Sequence, residues 1–228
     1  MKRKLLLKLV ACVLGATVQV AMFTAQAEDV PDMVAPYATT PESVVEQMLL
    51  LARVGPDDFV VDLGSGDGRV VIAAVKKFNA RGGFGVDIDS SLVDYANAKA
   101  QAEGVADRAK FHLRDLFKTD IREASVVTVY LLPRGMNKLR SKLLAELNPG
   151  TRVVAHDYQF QGWPVARVMS FDVPEKNDYT GRRQTALYLY IVPTPVFPAG
   201  SRRPAAAASG GRESAVNYSI TREPFPAP

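Results

Sequence analysis

Cysteine is almost absent from this chain of 228 residues: Cys12 is the only one, and a chain cleaved after residue 27 would have none. Its lack there excludes disulfides, thiolate metal sites and cysteine nucleophiles together. Histidine is nearly as scarce, with His112 and His156 alone. No close His/Asp/Glu spacing accompanies them, so no metal site is expected. Surplus positive charge also vanishes once it is located: four of the 28 Lys and Arg lie in residues 1–27, leaving 24 against 24 Asp and Glu. A near-neutral body has no electrostatic footprint for bulk nucleic-acid binding. There is no internal repeat.

The length fits one well-buried domain, at roughly 100 to 200 residues per domain. Residues 1–27 stand apart from it: Lys2, Arg3, Lys4 and Lys8 precede an apolar run from Leu9 to Phe23, and Ala25-Gln26-Ala27 fits a small-x-small cleavage site. The expectation is a signal peptide and an exported protein, periplasmic or secreted. A membrane anchor through residues 5–23 is the alternative, and a lipidated Cys12 a weaker one because Lys8 interrupts the apolar stretch before it. Residues 199–228 shift to Ala, Pro, Gly, Ser and Arg, with too few large apolar groups to offset ordering entropy. A disordered tail is expected there, leaving residues 28–198 as the domain.

Within that domain, apolar periodicity switches repeatedly between strand-like runs and helical spacing, which predicts an α/β fold with helices on both faces of a mostly parallel sheet. Val45, Met48, Leu49 and Ala52 predict a helix over 41–52, and Val71, Ala74, Val75 and Phe78 another over 69–78. A further helix is expected over 90–103 and one over 136–147. Strands are expected over 59–63, 83–87, 109–114, 124–132 and 152–158. VARVMSF and TALYLYIV, with no helix clearly between them, predict a terminal antiparallel pair.

The strongest chemical signal is VVDLGSGDGRVV, where a strand ends at Asp62 and Leu63, turns through Gly64, Ser65, Gly66, Asp67 and Gly68, and enters a helix at Arg69. A ligand approaches backbone closely only where side chains are missing. The crevice beyond such a strand's carboxyl end is the usual ligand site. This spacing differs from the dinucleotide G-x-G-x-x-G and lacks the ending of a phosphate-binding P-loop. Asp67 would repel a pyrophosphate, whereas Asp62 and Asp67 suit a cationic ligand such as S-adenosylmethionine, which carries an ammonium and a sulfonium. Asp87 ends the second strand 19 residues after Gly68, placed to accept both ribose hydroxyls, with Ile88 beside it. Asp115 follows the third strand, where it would take the adenine amino group while Leu116 packs on the ring; a helix cap is the plainer role for Asp115.

The succession DLGSGDGR, G-x-D, RDL and VTVYLLP resembles class I S-adenosylmethionine-dependent methyltransferases. More narrowly, PYATTPESVVEQML, VVDLGSGDGRVVIAAVKK, VTVYLLP and the later Trp163-Pro164 are similar to the lysine methyltransferases that modify the ATP synthase c-subunit and the adenine nucleotide translocase, over residues 36–165. Asp87 departs from the Glu expected in that family but keeps the ribose role, and YLLP and HDYQF match the family loosely. The resemblance implies a Rossmann-like, seven-stranded, mostly parallel sheet with an antiparallel terminal strand. It also implies methyl transfer to a protein lysine ε-amine, with a small molecule as the alternative acceptor. Tyr130, Pro133 and Asp157 are the candidate catalytic residues, with His156 and Tyr158 alongside and Tyr37 and Thr40 capping. Tyr130 is the first choice, as an aromatic wall that accepts a hydrogen bond or attracts a cation. His112 and Trp163 are read as packing residues. A protein substrate is the expected partner, and a membrane protein is one candidate. A noncatalytic S-adenosylmethionine or nucleoside binder remains open, because the export signal raises the question of methyl-donor supply. A nicotinamide-dependent dehydrogenase is a third reading, disfavoured by the glycine spacing and Asp67.

Overall fold

The computed structural model describes residues 39–176 and 183–194. The expected targeting segment, Tyr37 and the expected tail lie outside the described residues. The strands are β1 (Phe59–Leu63), β2 (Gly82–Asp87), β3 (Ala109–Leu113), β4 (Val126–Val129), β5 (Arg152–His156), β6 (Arg167–Asp172) and β7 (Gln184–Ile191). The helices are α1 (Glu42–Leu51), α2 (Arg69–Lys77), α3 (Ser90–Ala102) and α4 (Pro133–Glu146), and a 3-10 turn spans Pro174–Lys176. No helix among the described residues is long and apolar enough to cross a membrane.

These seven strands form one sheet, ordered β3-β2-β1-β4-β5-β7-β6. From β3 across to β5 every pairing is parallel, while β7 runs antiparallel to both β5 and β6. The antiparallel pair expected at the end of the chain is present, but β7 is inserted inside the sheet and β6 forms the edge. Strand order reverses between β1 and β4, so the crevice at a topological switch point lies beyond Leu63 and Val129.

Burial explains the sequence pattern. β1, β4 and β5 are covered on both faces and read as continuous apolar runs, with Val60, Val61, Leu63, Val126, Val127, Val153 and Val154 all fully buried. One face packs Val44, Val45, Met48 and Leu49 of α1 and Val70 and Ala74 of α2 against Val60, Val126, Val154, Leu187 and Leu189. On the other, Met136, Leu139 and Leu143 of α4 join Phe160, Trp163 and Tyr190 over β1, β4 and β5. Trp163 is the packing anchor expected, its ring 5.4 Å from Phe160 and 5.2 Å from Tyr190, with Nε1 donating to the Ile191 carbonyl at 3.3 Å.

Several boundaries differ from expectation, three of them for an evident local reason. β4 ends at Val129 rather than 132, because the chain leaves the ladder at Tyr130 to enter α4. That helix starts at Pro133, three residues early, since proline is tolerated in the first turn, where its missing N–H has no intrahelical partner. β5 stops at His156 because Asp157 takes a φ of +60°, a left-handed conformation that ends the extended strand.

At the sheet's amino edge, the buried Asp58 carboxylate accepts from Ser125 Oγ at 2.7 Å and Gly55 N at 2.9 Å and pairs with Arg152. Arg152 also donates to the Ala52 and Arg53 carbonyls at the end of α1. Removing the carboxylate leaves a guanidinium and a hydroxyl without this partner. Asp58→Ala is therefore expected to cost about 3 kcal/mol in urea unfolding, and an unchanged midpoint would show this staple to be dispensable.

Candidate active site

β1 delivers a carboxylate to the crevice and then a bare turn. Gly68 has a φ of +79°, and a Cβ there would lie 2.5 Å from the Phe111 ring and 2.9 Å from Ala96 Cβ. Both backbone shape and space therefore require glycine at the start of α2. Asp62, only 5% exposed, accepts a hydrogen bond from Thr128 Oγ1 at 2.6 Å, the two residues being in register on β1 and β4. Burial pushes the Asp62 carboxyl up to about 7, the neighbouring Asp87 and Asp67 charges adding to it and the Thr128 hydrogen bond opposing it.

Asp67 is differently placed from what the sequence suggested. Burial alone would raise its carboxyl, but Arg69 and Lys99 outweigh burial and hold it below its ordinary value. Arg69 donates through Nη2 at 2.7 Å and Nε at 2.8 Å, and Lys99 Nζ stands at 3.3 Å. The charge expected to attract a cationic ligand is already paired, and Asp67 braces the turn. Arg69 further donates to the Thr40 carbonyl at 2.7 Å, tying the segment before α1 to the glycine turn.

Asp87 lies at the end of β2, where its Oδ2 accepts from Gly66 N at 2.9 Å and its Oδ1 from Asp89 N at 3.0 Å. Asp115 accepts from Phe117 N at 2.8 Å and so caps a turn, while Leu116 is buried in the core cluster. Ile88, Leu113 and Leu132, at the carboxyl ends of β2, β3 and β4, are 46%, 57% and 40% exposed. Large apolar groups left in water along one sheet edge suit a ligand with an apolar face. His112 stacks edge-on to Phe84 at 5.9 Å, consistent with the packing role expected of it.

A second polar cluster occupies the carboxyl ends of β4 and β5. The Tyr130 ring lies 4.0 Å from His156 and 6.4 Å from Tyr158, and its hydroxyl donates to Asp157 Oδ2 at 3.3 Å. His156 is 1% exposed, with Thr40 Oγ1 3.4 Å from Nδ1 and Thr185 Oγ1 3.2 Å from Nε2. Burial drives its pKa down to about 4, so the ring is neutral at pH 7. Burial opposes the Asp157 charge as well, yet the adjoining His156 ring where acid protonates it, the Lys176 ammonium and the Ala186 N–H hold its carboxyl below the ordinary value. Lys176 and Thr185 were not singled out from the sequence: one sits in a short turn and the other near the start of an ordinary strand, and only the fold brings them together. Pro133 is exposed at the first position of α4 rather than among these side chains.

A family model described as the ANTKMT methyltransferase domain matches residues 62–167. A protein-lysine N-methyltransferase of Saccharolobus islandicus is 41% identical over 157 residues, covering 69% of this chain and 93% of its own length. The chain belongs to this family of methyltransferases. The rat lysine N-methyltransferase of the ATP synthase c-subunit is 41% identical over 125 residues, but the match spans only 54% of this chain and 53% of that protein. Among solved structures, one described as an RNA methyltransferase from Salinibacter ruber in complex with S-adenosyl-L-homocysteine is 40% identical, with a TM-score of 0.63, over 72% of this chain and all of that one.

The methyltransferase's residues fit the methyl donor of the class, S-adenosylmethionine. Ser65 Oγ, within the glycine turn, is buried and has no hydrogen-bond partner among the described residues. Beside it stand the glycine turn, the buried Asp62 carboxyl with no cation paired to it among the described residues, and the apolar rim of Ile88, Leu113 and Leu132. When bound, the donor supplies a methyl group on a sulfonium.

A carboxyl whose folded pKa lies above its unfolded value favours folding fully below about 4 and loses that contribution as pH rises through about 7. Asp62→Asn keeps an acceptor for Thr128 without the charge. It is expected to raise ligand-free stability at pH 8 by roughly 2–4 kcal/mol relative to wild type, and little at pH 4. Urea unfolding at the two pH values measures this, and equal stabilities at pH 8 would mean the buried charge costs nothing.

Proposed function

We propose that this methyltransferase transfers the methyl group of S-adenosylmethionine to the ε-amine of a protein lysine. The observation that carries the reading is the cluster at the ends of β4 and β5: an aromatic wall of Tyr130 and Tyr158 beside the Asp157 anion, in a chain 41% identical to a protein-lysine methyltransferase across 93% of that protein. Such a wall suits an aliphatic side chain with a positive or partly positive tip.

On this reading the donor is held by Gly64, Ser65, Gly66 and Gly68 along the turn and by Asp62 facing its ammonium. Asp87 takes the ribose hydroxyls while Ile88, Asp115 and Leu116 bound the adenine, and Asp67 contributes by bracing the turn. Tyr130 and Asp157 meet the acceptor, with Pro133 shaping the rim. The amine must arrive neutral, because an ammonium has no lone pair, and a partly desolvated pocket favours that form. The remaining work is to align two reactants and keep water out.

The Salinibacter neighbour favours a second reading, RNA as acceptor. Against it stands the charge balance, since residues 28–228 carry 24 Lys and Arg against 24 Asp and Glu and offer no excess charge to a phosphate backbone. The basic, then apolar, residues 1–27 support export or anchoring and with it an acceptor at a membrane.

Incubating full-length protein with labelled S-adenosylmethionine and, in parallel, membrane extract, RNA and a small-molecule fraction separates these acceptors. Label is expected in protein and, after hydrolysis, as methyllysine; label confined to RNA or small molecules would overturn the reading. Asp87→Ala, which removes the proposed ribose contacts and the brace on Gly66 N, is expected to weaken donor binding roughly tenfold or more.

A further inference from the structure

Lys176 is the least expected charge in the molecule. Its side chain is 3% exposed, and Nζ donates to Asp157 Oδ2 and, at 2.6 Å, to Thr185 Oγ1. Burying an ammonium is costly unless its partners are well placed, and an apolar side chain of similar size would fill the same space more cheaply. Asp157 is equally constrained: it holds a left-handed φ of +60°, its Oδ1 accepts from Ala186 N at 3.2 Å, and its Oδ2 is shared between Lys176 and the Tyr130 hydroxyl. Backbone strain and a buried charge converge on one carboxylate oxygen facing the acceptor wall.

We propose that Lys176 is a positioning residue for methyl transfer: its ammonium fixes Asp157 as an anion, which commits the single hydroxyl proton of Tyr130 to Asp157 and leaves the Tyr130 oxygen an acceptor toward the incoming amine. This rests on the amine reading above. A nucleophilic nitrogen must aim its lone pair at the methyl carbon, so its N–H bonds need acceptors elsewhere. A tyrosine free to donate would bind that lone pair and block attack; one whose proton is committed holds an N–H instead. As the C–N bond forms and the C–S bond breaks, the bonding pair passes to sulfur and the amine becomes a methylammonium. Its N–H proton leaves afterwards to solvent.

The charged or titratable groups facing Asp157 among the described residues are Tyr130 beyond β4, His156 on β5 and Lys176 on the 3-10 turn. His156 is buried and neutral at pH 7, so it does not replace the lysine charge.

The test compares full-length wild type with Lys176→Met, Lys176→Arg and Lys176→Met combined with Asp157→Asn. Infrared difference spectra across pH 5 to 9 report carboxyl protonation without any turnover. Asp62, whose carboxyl lies at about 7, gives one such signal in every variant; a second protonated-carboxyl signal is expected in Lys176→Met, absent from wild type and from the double variant. Donor affinity by calorimetry should stay within about twofold, while kcat falls roughly ten- to a hundredfold and gains an acid limb that Lys176→Arg removes. If Lys176→Met does not fold, Lys176→Gln, a donor without charge, carries the same comparison. An Asp157 that stays ionised without Lys176, with an unshifted kcat profile, would overturn the proposal. Should wild type methylate no lysine, the amine reading and the Tyr130 orientation fall with it, and the infrared arm still decides whether Lys176 sets the charge of Asp157.

Discussion

A carboxylate removed from water must acquire a cation or take up a proton, and this site is organised around two that meet that demand in opposite ways. Asp62 is buried beside two further acids with, among the described residues, a threonine hydroxyl for support, and its carboxyl rises to about 7. Asp157 follows β5, two strands along the same sheet edge from β1; it has a buried lysine against it and stays ionised. The first meets the demand by taking up a proton near neutrality. The second has its cation built in. On the reading proposed above, donor and acceptor meet between a carboxyl that protonates near neutrality and one held as an anion, which gives each reactant a different reason to bind.

Topology makes this division possible. Parallel strands β1, β4 and β5 end at one edge, so residues at their carboxyl ends converge although Asp62 and Asp157 are far apart in sequence. Inserting β7 antiparallel between β5 and β6 brings the beginning of that strand to the same edge. Thr185 and Ala186 consequently reach Asp157, and the 3-10 turn after β6 sets Lys176 beside them. With β7 at the outer edge instead, Thr185 and Ala186 would sit a strand further away and could not reach that carboxylate. The Asp58–Arg152 staple fastens the opposite edge, where the chemistry does not occur.

The α/β class and the helices from α1 to α3 were readable in the sequence because they depend on local patterns, and the residues proposed to hold the donor stand out for the same reason. Glycine spacing, an acid at the end of each early strand and apolar runs all lie within a few residues of one another. The acceptor half was only partly readable. Tyr130 and Asp157 stand out as polar residues just after apolar strands, but Lys176 and Thr185 acquire meaning only from strand order. Asp67 shows the reverse: a lone acid in a glycine turn reads as a free charge, and only the fold sets Arg69 and Lys99 against it. Thr128 within VVTV was likewise silent, though its register opposite Asp62 follows once β1 and β4 are known to be neighbours.

The two groups nearest the acceptor wall that carry a basic atom are both poorly suited to act as a base at neutral pH. His156 has a pKa near 4, is almost fully buried, and has a threonine hydroxyl at each ring nitrogen. Asp157 stays below the ordinary carboxylate range, with Lys176 against it. An effective general base titrates near the working pH, and neither does. Deprotonation of the amine then belongs to desolvation on entry, where burial works against a charged nitrogen as it does against the imidazolium of His156. On the reading proposed above, what remains for the protein is orientation: a lone pair aimed along one line by an oxygen whose proton is committed to Asp157, supported from behind by a lysine that never meets the substrate.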